Sequence, residues 1–364
     1  MKYFNPVKVV KTENWLSELK LNLEELKITD PVIIATDGNK NRLNLDSIFN
    51  SKNIYTKFSN NPTINDCKQV INYCQNNKFN GLVAIGGGSA MDLAKVVMAH
   101  LSSGLKNIYD LLSSNIDFRI DVPSIFLPTT HGTASEVTMW GTIWDMENKK
   151  KYSISNICLY PDIAILDGSL TVTLPLEISI STTLDALSHA FEAIWNKNSN
   201  YKSSSYAIES ISCIIKNSTK LKNTPLDIGV RTKLLEASTL AGLAFSNTKT
   251  AACHSISYPL TINYDIPHGI AASITLLPIL DINRNSIINE LDVILNQNGI
   301  TYQQLKNIIF DIPQGVVPFN LKEWGVRSDG ISQLVSESFT KGRMDNNIVD
   351  LEVGDVENIL KSIL

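Results

Sequence analysis

Residues 81–95 read Gly-Leu-Val-Ala-Ile-Gly-Gly-Gly-Ser-Ala-Met-Asp-Leu-Ala-Lys. Gly81 to Ile85 is an apolar run of strand length, and a helical pattern follows from Ala90 to about His100. Between them lie Gly86, Gly87, Gly88 and Ser89. A strand, a glycine cluster and a helix make a phosphate cradle. The glycines let backbone approach a pyrophosphate, and the helix N-terminus adds N–H donors and partial positive charge. The pattern is not the usual dinucleotide fingerprint, because its third glycine position holds Met91. The acidic strand end also comes earlier in the chain, not about 20 residues after the glycines. That residue is Asp37, following the β-branched run Pro31 to Thr36. It suits a ribose 2′-hydroxyl and repels a 2′-phosphate, or it is only the first half of an Asp-Gly turn.

Working outward, the turn Asn61-Pro62-Thr63 precedes a helix predicted over Ile64 to Asn76. Lys40 to Phe58 carries a helical pattern and then a further strand candidate. Val122 to Leu127 is a strand ending in Pro128-Thr129-Thr130-His131-Gly132-Thr133-Ala134-Ser135-Glu136-Val137-Thr138. Such a hydroxyl-rich loop at a strand end either binds ligand or is a simple turn. Asp92 and Lys95 lie near the cradle, as ligand-side groups or as a solvated helix face; Lys149-Lys150-Lys151 reads as a charged hairpin. The alternation of strands and helices to about residue 165 indicates an α/β domain with a largely parallel sheet. Beyond Leu174-Pro175 helical patterns dominate: Thr183 to Trp195, Ser203 to Ile215 and Val230 to Ser246. The expected organisation is an α/β nucleotide-binding domain over residues 1–168 and an all-α domain over residues 169–364.

Composition limits the partners. A net charge of -4 and a pI near 5.8 argue against a broad nucleic-acid surface. Cys67, Cys74, Cys158, Cys213 and Cys253 are scattered without a CxxC pair, which suits free thiols in a reducing compartment. The N-terminal stretch has no signal-like apolar region, and no apolar run approaches the roughly 18 residues that span a bilayer. A cytoplasmic protein without membrane or nucleic-acid partners is expected.

Residues 184–193 read Leu-Asp-Ala-Leu-Ser-His-Ala-Phe-Glu-Ala. On a helix Asp185 and His189 share a face, either as a hydrogen-bonded pair or as two ligands of one metal ion. The chain has five histidines, His100, His131, His189, His254 and His268, and three lie in the helical half with Asp185. One carboxylate and three imidazoles suit Fe(II) or Zn(II) over Mg or Ca, and leave net positive charge to stabilise an alkoxide. His254 as a satisfied core histidine and His268 as a turn residue are the alternatives.

The motifs Asn61-Pro62-Thr63, GGGSAMDLAK (86–95), PTTHGTASEVT (128–138), LDALSHAFEA (184–193) and HSISYPL…PHG (254–269) together resemble the iron-dependent, group III alcohol dehydrogenases over nearly the whole chain. The resemblance implies an N-terminal nucleotide-binding domain and a C-terminal helical domain, a fold related to dehydroquinate synthase, with the metal in the cleft between them. It implies Asp185, His189, His254 and His268 as ligands of Fe(2+), with Zn(2+) as the alternative. It also implies a dinucleotide on Gly86, Gly87, Gly88, Ser89, Asp92, Thr129, Thr130, Thr133, Ser135 and Lys151, with Asp37 at the adenosine ribose. Asp37 favours NADH over NADPH, and the family suggests a homodimer.

The sequence departs from the family at several positions. Tyr258 stands where many members carry a histidine, Ala134 and Thr183 replace glycines, and His131 replaces a small residue. Glu192-Ala193-Ile194-Trp195-Asn196-Lys197-Asn198, Lys249-Thr250, Ser257-Tyr258 and Gly342-Arg343…Asn346-Asn347 look like the phosphonoacetaldehyde reductases. Those enzymes reduce phosphonoacetaldehyde to 2-hydroxyethylphosphonate in phosphonate biosynthesis. The expected activity is therefore reduction of that aldehyde to a primary alcohol. Tyr258 would be the proton donor or a core tyrosine; Lys249 and Arg343 would be phosphonate-binding cations or surface charges. The competing readings are a general short-chain alcohol dehydrogenase, a sugar-acid alcohol oxidase of the same family and a dehydroquinate synthase-like lyase. The lyase needs a further basic cluster that is not evident. A non-catalytic nucleotide-binding protein is disfavoured because all four ligand positions are filled.

Overall fold

Period-two alternation sends strand side chains to the two faces of a sheet. In the computed structural model, which describes residues 3–113, 116–148 and 150–364, Val32, Ile34, Leu82, Ala84 and Phe126 enter one core. Ile33, Ala35, Val83, Ile85, Ile125 and Leu127 enter the other. Strands buried on both faces are typical of a parallel sheet covered by helices. The strands are β1 (Lys8–Lys11), β2 (Pro31–Ala35), β3 (Ile54–Tyr55), β4 (Gly81–Gly86), β5 (Ser124–Pro128) and β8 (Ile163–Leu166), in the order β1-β8-β5-β4-β2-β3, all neighbours parallel. β6 (Trp140–Asp145) and β7 (Lys150–Ser155) form a separate antiparallel hairpin. Lys150 and Lys151 lie on β7; Lys149 lies outside the described residues.

The sheet's helices are α1 (Trp15–Glu25), α2 (Asp37–Arg42), α3 (Ile64–Gln75), α4 (Gly88–Ser103) and α5 (Ile108–Leu112). α3 starts on a capping box, with Thr63 Oγ1 accepting from Asp66 N and Asp66 accepting from Thr63 N. The expected Asp37-Gly38 turn is instead the first turn of α2, because Thr36 Oγ1 caps it by accepting from Asn39 N at 3.2 Å. The helical pattern from Lys40 resolves into α2 and two short 3-10 turns before β3. From β2 the chain moves to β3 at one edge, then returns to place β4 on the other side of β2. The winding direction thus reverses between β2 and β4. Parallel sheets bind ligands at such a switch point, outside the C-terminal strand ends.

The helical unit contains α6 (Leu176–Ile194), α7 (Tyr201–Asn223), α8 (Ile228–Thr248), α9 (Ala252–Tyr264), α10 (His268–Ala271), α11 (Leu276–Asn283), α12 (Ile288–Asn298), α13 (Tyr302–Asp311), α14 (Ile331–Glu337) and α15 (Val353–Ser362). α6 is buried on almost every side, with α7, α8 and α10 packed against it. Such helices are core elements, not amphipathic surface ones. No helix among the described residues is long and apolar enough to cross a membrane.

By packing, the sheet unit comprises Pro6–Thr130 and Ala134–Thr171. The helical unit comprises Val172–Leu364 together with His131–Thr133 and the described residues of Met1–Asn5. The division by packing falls at Thr171/Val172, and the helical unit draws on three stretches of chain.

Candidate active site

α6 carries Asp185, His189 and Glu192 at positions i, i+4 and i+7, one face of a helix. Asp185 Oδ1 is the centre of a ring-nitrogen cluster. His254 Nε2 lies 3.4 Å away, His268 Nε2 3.8 Å and His189 Nδ1 3.9 Å. Asp185 Oδ1, His189 Nδ1 and His254 Nε2 are buried without a hydrogen-bond partner among the described residues. Buried polar atoms are rarely left so. Ligands about 2.1 Å from a shared ion at tetrahedral angles lie roughly 3.4 Å apart. The orphaned atoms and their spacing thus fit a divalent transition metal, and the plain Asp–His hydrogen bond is not formed.

Burial works against a charge on Asp185, but the surrounding imidazoles hold its carboxyl well below the usual carboxylate range. Burial pushes His189 down to about 4, so its ring is neutral and able to ligate. Its orientation is set by stacking on Phe245, with centroids 4.1 Å apart, and by a backbone hydrogen bond with Gly132.

His268 begins α10, and Gly269 allows α10 its approach to α6. A Cβ at Gly269 would lie 2.3 Å from the Ser181 carbonyl oxygen. Gly269→Ala is therefore expected to destabilise the protein by about 1–3 kcal/mol and to lower bound metal by displacing His268. Denaturant unfolding with metal analysis checks this; unchanged stability and metal content would show that α10 yields freely.

Glu192 escaped the sequence reading as a functional residue. It is fully buried, and it accepts from His254 N at 3.0 Å and from His254 Nδ1 at 2.5 Å. This turns His254 Nε2 toward Asp185, the usual carboxylate–histidine support of a metal site. Burial would lower His254, but Glu192 and Asp185 outweigh it and push the ring up to about 9.

Arg343 is not an ordinary surface charge. Burial lowers its guanidinium pKa, opposed by Glu192 and by Tyr258 beside it. Tyr258 is half-buried on α9, one turn beyond His254. Lys249 is exposed, with φ +67° and ψ -179°, a backbone region that favours glycine. It is held there by Lys249 N donating to Phe245 O (2.8 Å) and Asn196 Nδ2 donating to Lys249 O (3.2 Å). Asn346 Nδ2 donates to Thr250 O, tying the Arg343 segment to the same turn.

The other departures also have structural counterparts. Thr182 and Thr183 each place a hydroxyl 3.4 Å from Nδ1 of His131. His131 is fully buried and pushed down to about 3 by burial and then by Arg231. Ala134 has φ +49°, a left-handed conformation that glycine adopts without strain.

In the sheet unit, the loops flanking the β2/β4 switch point carry Asp37 and the glycines. A Cβ at Gly86 would meet Ala90 Cβ at 2.5 Å, so only glycine fits. α4 has no side-chain cap, which leaves N–H donors of its first turn for an anion. Thr129 N donates to Gly86 O (2.9 Å), and Asn39 Nδ2 reaches Ile85 O and Thr129 Oγ1. The ends of β2, β4 and β5 are thereby joined around one crevice, with Asp37 exposed at its side and Thr130 half-buried beside Gly87. This cradle fits a dinucleotide.

The remaining expected cofactor residues have the following surroundings. Ser89 donates its hydroxyl to Asn60 O. Lys151 sits over the Trp144 ring, 5.3 Å from its centroid. Thr133 packs with the helical unit. Asp92 accepts from Ser135 Oγ (3.0 Å) and Thr142 N (2.9 Å), and Lys95 is wholly buried, so the solvated-face reading fails for both.

A parallel-sheet nucleotide unit and a helical unit with this ligand set define a class, the metal-dependent, NAD(P)-linked alcohol and aldehyde oxidoreductases. The chain belongs to the iron-containing alcohol dehydrogenase family. Residues 6–168 match the iron-containing alcohol dehydrogenase profile, and residues 179–364 match the C-terminal profile of the Fe-containing alcohol dehydrogenase family. Long-chain-alcohol dehydrogenase 1 of Geobacillus thermodenitrificans is 28% identical over 337 residues, 88% of this chain and 84% of that protein. The probable alcohol dehydrogenase EutG of Escherichia coli is 32% identical over 61% of this chain, which spans 56% of that relative. The crystal structure of sulfoacetaldehyde reductase from Bifidobacterium kashiwanohense in complex with NAD+ is 27% identical. It superposes with a TM-score of 0.92 over 100% of this chain and 98% of that one. Iron and a nicotinamide dinucleotide are the cofactors that fit.

Proposed function

We propose that this chain reduces a two-carbon aldehyde bearing a tetrahedral oxyanion, namely phosphonoacetaldehyde, to 2-hydroxyethylphosphonate, as a step of phosphonate biosynthesis. The observation that carries the reading is Arg343, half-buried beside Tyr258 and beside the Glu192 that supports His254. Sulfoacetaldehyde, named for the Bifidobacterium relative, is likewise a two-carbon aldehyde with a tetrahedral oxyanion.

Asp185, His189, His254 and His268 would hold the iron, and Glu192 keeps His254 in the ligating tautomer. When bound there, iron would supply Lewis-acid polarisation of a carbonyl and NADH would supply hydride. The Tyr258 hydroxyl gives its proton to the alcohol oxygen as it forms and regains one from water. Arg343 binds two head-group oxygens with its planar fork, and Lys249 adds a second cation. Asp37 takes the adenosine ribose hydroxyls, which favours NADH. The same reading makes the enzyme a cytoplasmic homodimer, and its five free cysteines suit a reducing compartment.

The test is kcat/KM on phosphonoacetaldehyde against propanal, with NADH and protein of known iron content. A large excess for the phosphonate is expected; equal rates would overturn the reading and favour a general alcohol dehydrogenase, as the names of two relatives suggest. Lys249→Gly should relieve about 1–3 kcal/mol of backbone strain, raising Tm while raising KM for the phosphonate. An unchanged KM would remove Lys249 from the head-group site.

A further inference from the structure

The GGGSAMDLAK stretch contains two charged residues that the phosphate cradle does not use. Lys95 is wholly buried in the sheet unit, and its ammonium donates to Ser135 O (2.9 Å), Ser135 Oγ (2.7 Å), Thr138 Oγ1 (3.2 Å) and Trp140 O. One turn earlier, both oxygens of Asp92 are taken by Ser135 Oγ and Thr142 N. The two side chains thus grip a single segment, Ser135–Thr142, from the helix whose N-terminus is the cradle. That segment begins beside Ala134, whose φ of +49° needs holding in place. Such a network is costly if half-satisfied and rigid if complete.

We propose that Lys95 and Asp92 are positioning residues: they do not contact the dinucleotide but latch the 135–142 segment to α4, and so set the geometry of the loop after β5 against the phosphate cradle. The ammonium fits this role because its N–H groups donate to oxygens lying in several directions, two of them backbone carbonyls. Burial lowers Lys95 to about 8, opposed by Asp92 and Glu136, as expected of an ammonium closed off from water. A cradle and a loop latched to one helix form a preorganised site. Freeing the loop therefore weakens binding of the dinucleotide without touching the atoms that react.

The experiment measures NADH binding directly, by fluorescence titration of metal-free protein, in Lys95→Met, Asp92→Asn and the double variant. Lys95→Met should raise the NADH Kd at least tenfold. The double variant should be no worse than the worse single one, because both act on the same segment. At saturating NADH, kcat and iron content should stay within about threefold of wild type. Hydrogen exchange should speed up in residues 135–142 and not in α6. If Lys95→Met fails to fold, Thr138→Val removes one acceptor at constant shape and should raise Kd several-fold. An NADH Kd within twofold of wild type in folded Lys95→Met, or a loss of kcat at unchanged Kd, would overturn the proposal.

Discussion

Changing Glu192 to glutamine is expected to lower metal affinity by about 10–100-fold with the fold intact. The carboxylate now accepts two N–H groups of one residue, the backbone and ring nitrogens of His254, one on each oxygen. Glutamine has a single acceptor oxygen, so its amide NH2 must face one of those donors. An unsatisfied buried donor costs about 1–3 kcal/mol, and the cheapest escape is for the His254 ring to turn away from Asp185. The lost negative charge also deprives Arg343 of its buried partner. Chelator-competition titration with Fe(II) or Co(II), beside thermal melting, checks this. Affinity within twofold of wild type would show that His254 keeps its orientation by packing alone.

Arg343→Ala should reduce kcat/KM for phosphonoacetaldehyde by about 10- to 150-fold, the value of charged hydrogen bonds worth about 1.5–3 kcal/mol. Propanal, which has no head group, should be turned over at nearly the wild-type rate. Arg343 also balances Glu192, so iron content must be followed in the same samples. Equal losses on both aldehydes, accompanied by lost iron, would assign Arg343 to the support of the metal site and not to the substrate. Arg343→Lys should recover only part of the preference, because an ammonium cannot make the paired contacts of a guanidinium.

Local signals carried much of this architecture. The buried strand, the glycines and the helix of residues 81–103 announce themselves through composition and period, and the α/β-then-α organisation follows. The cluster of His189, His254 and His268 around Asp185 was legible because histidines are few and Asp185 and His189 share a helix face. Glu192 was overlooked although it lies seven residues from Asp185, two turns along that face; a buried acid at that spacing was the available signal. The Asp37-Gly38 pair misled because a six-residue helix has almost no period, and only the Thr36 cap betrays it. No local pattern could reveal that Lys95 points at Ser135, that His131 meets Thr183, or that Ala134 is left-handed. Each depends on chain returning from 40 or more residues away, or on a backbone angle imposed by neighbours.

The helical unit's three-part make-up bears on how the chain can be cut. A fragment starting at Val172 would retain Asp185, His189, His254 and His268 yet lack Gly132, the backbone partner of His189. It would also lose Tyr3, whose hydroxyl donates to Leu243 O, and the paired bonds between Phe4 and Asn247 that anchor α8. Expressed alone, such a half would keep Phe245 and Glu192 but present His189 without its backbone contact and α8 without its N-terminal anchor. A split-gene or domain-swapped version of this protein should therefore carry the 131–133 tripeptide and the N-terminal strap along with the helices.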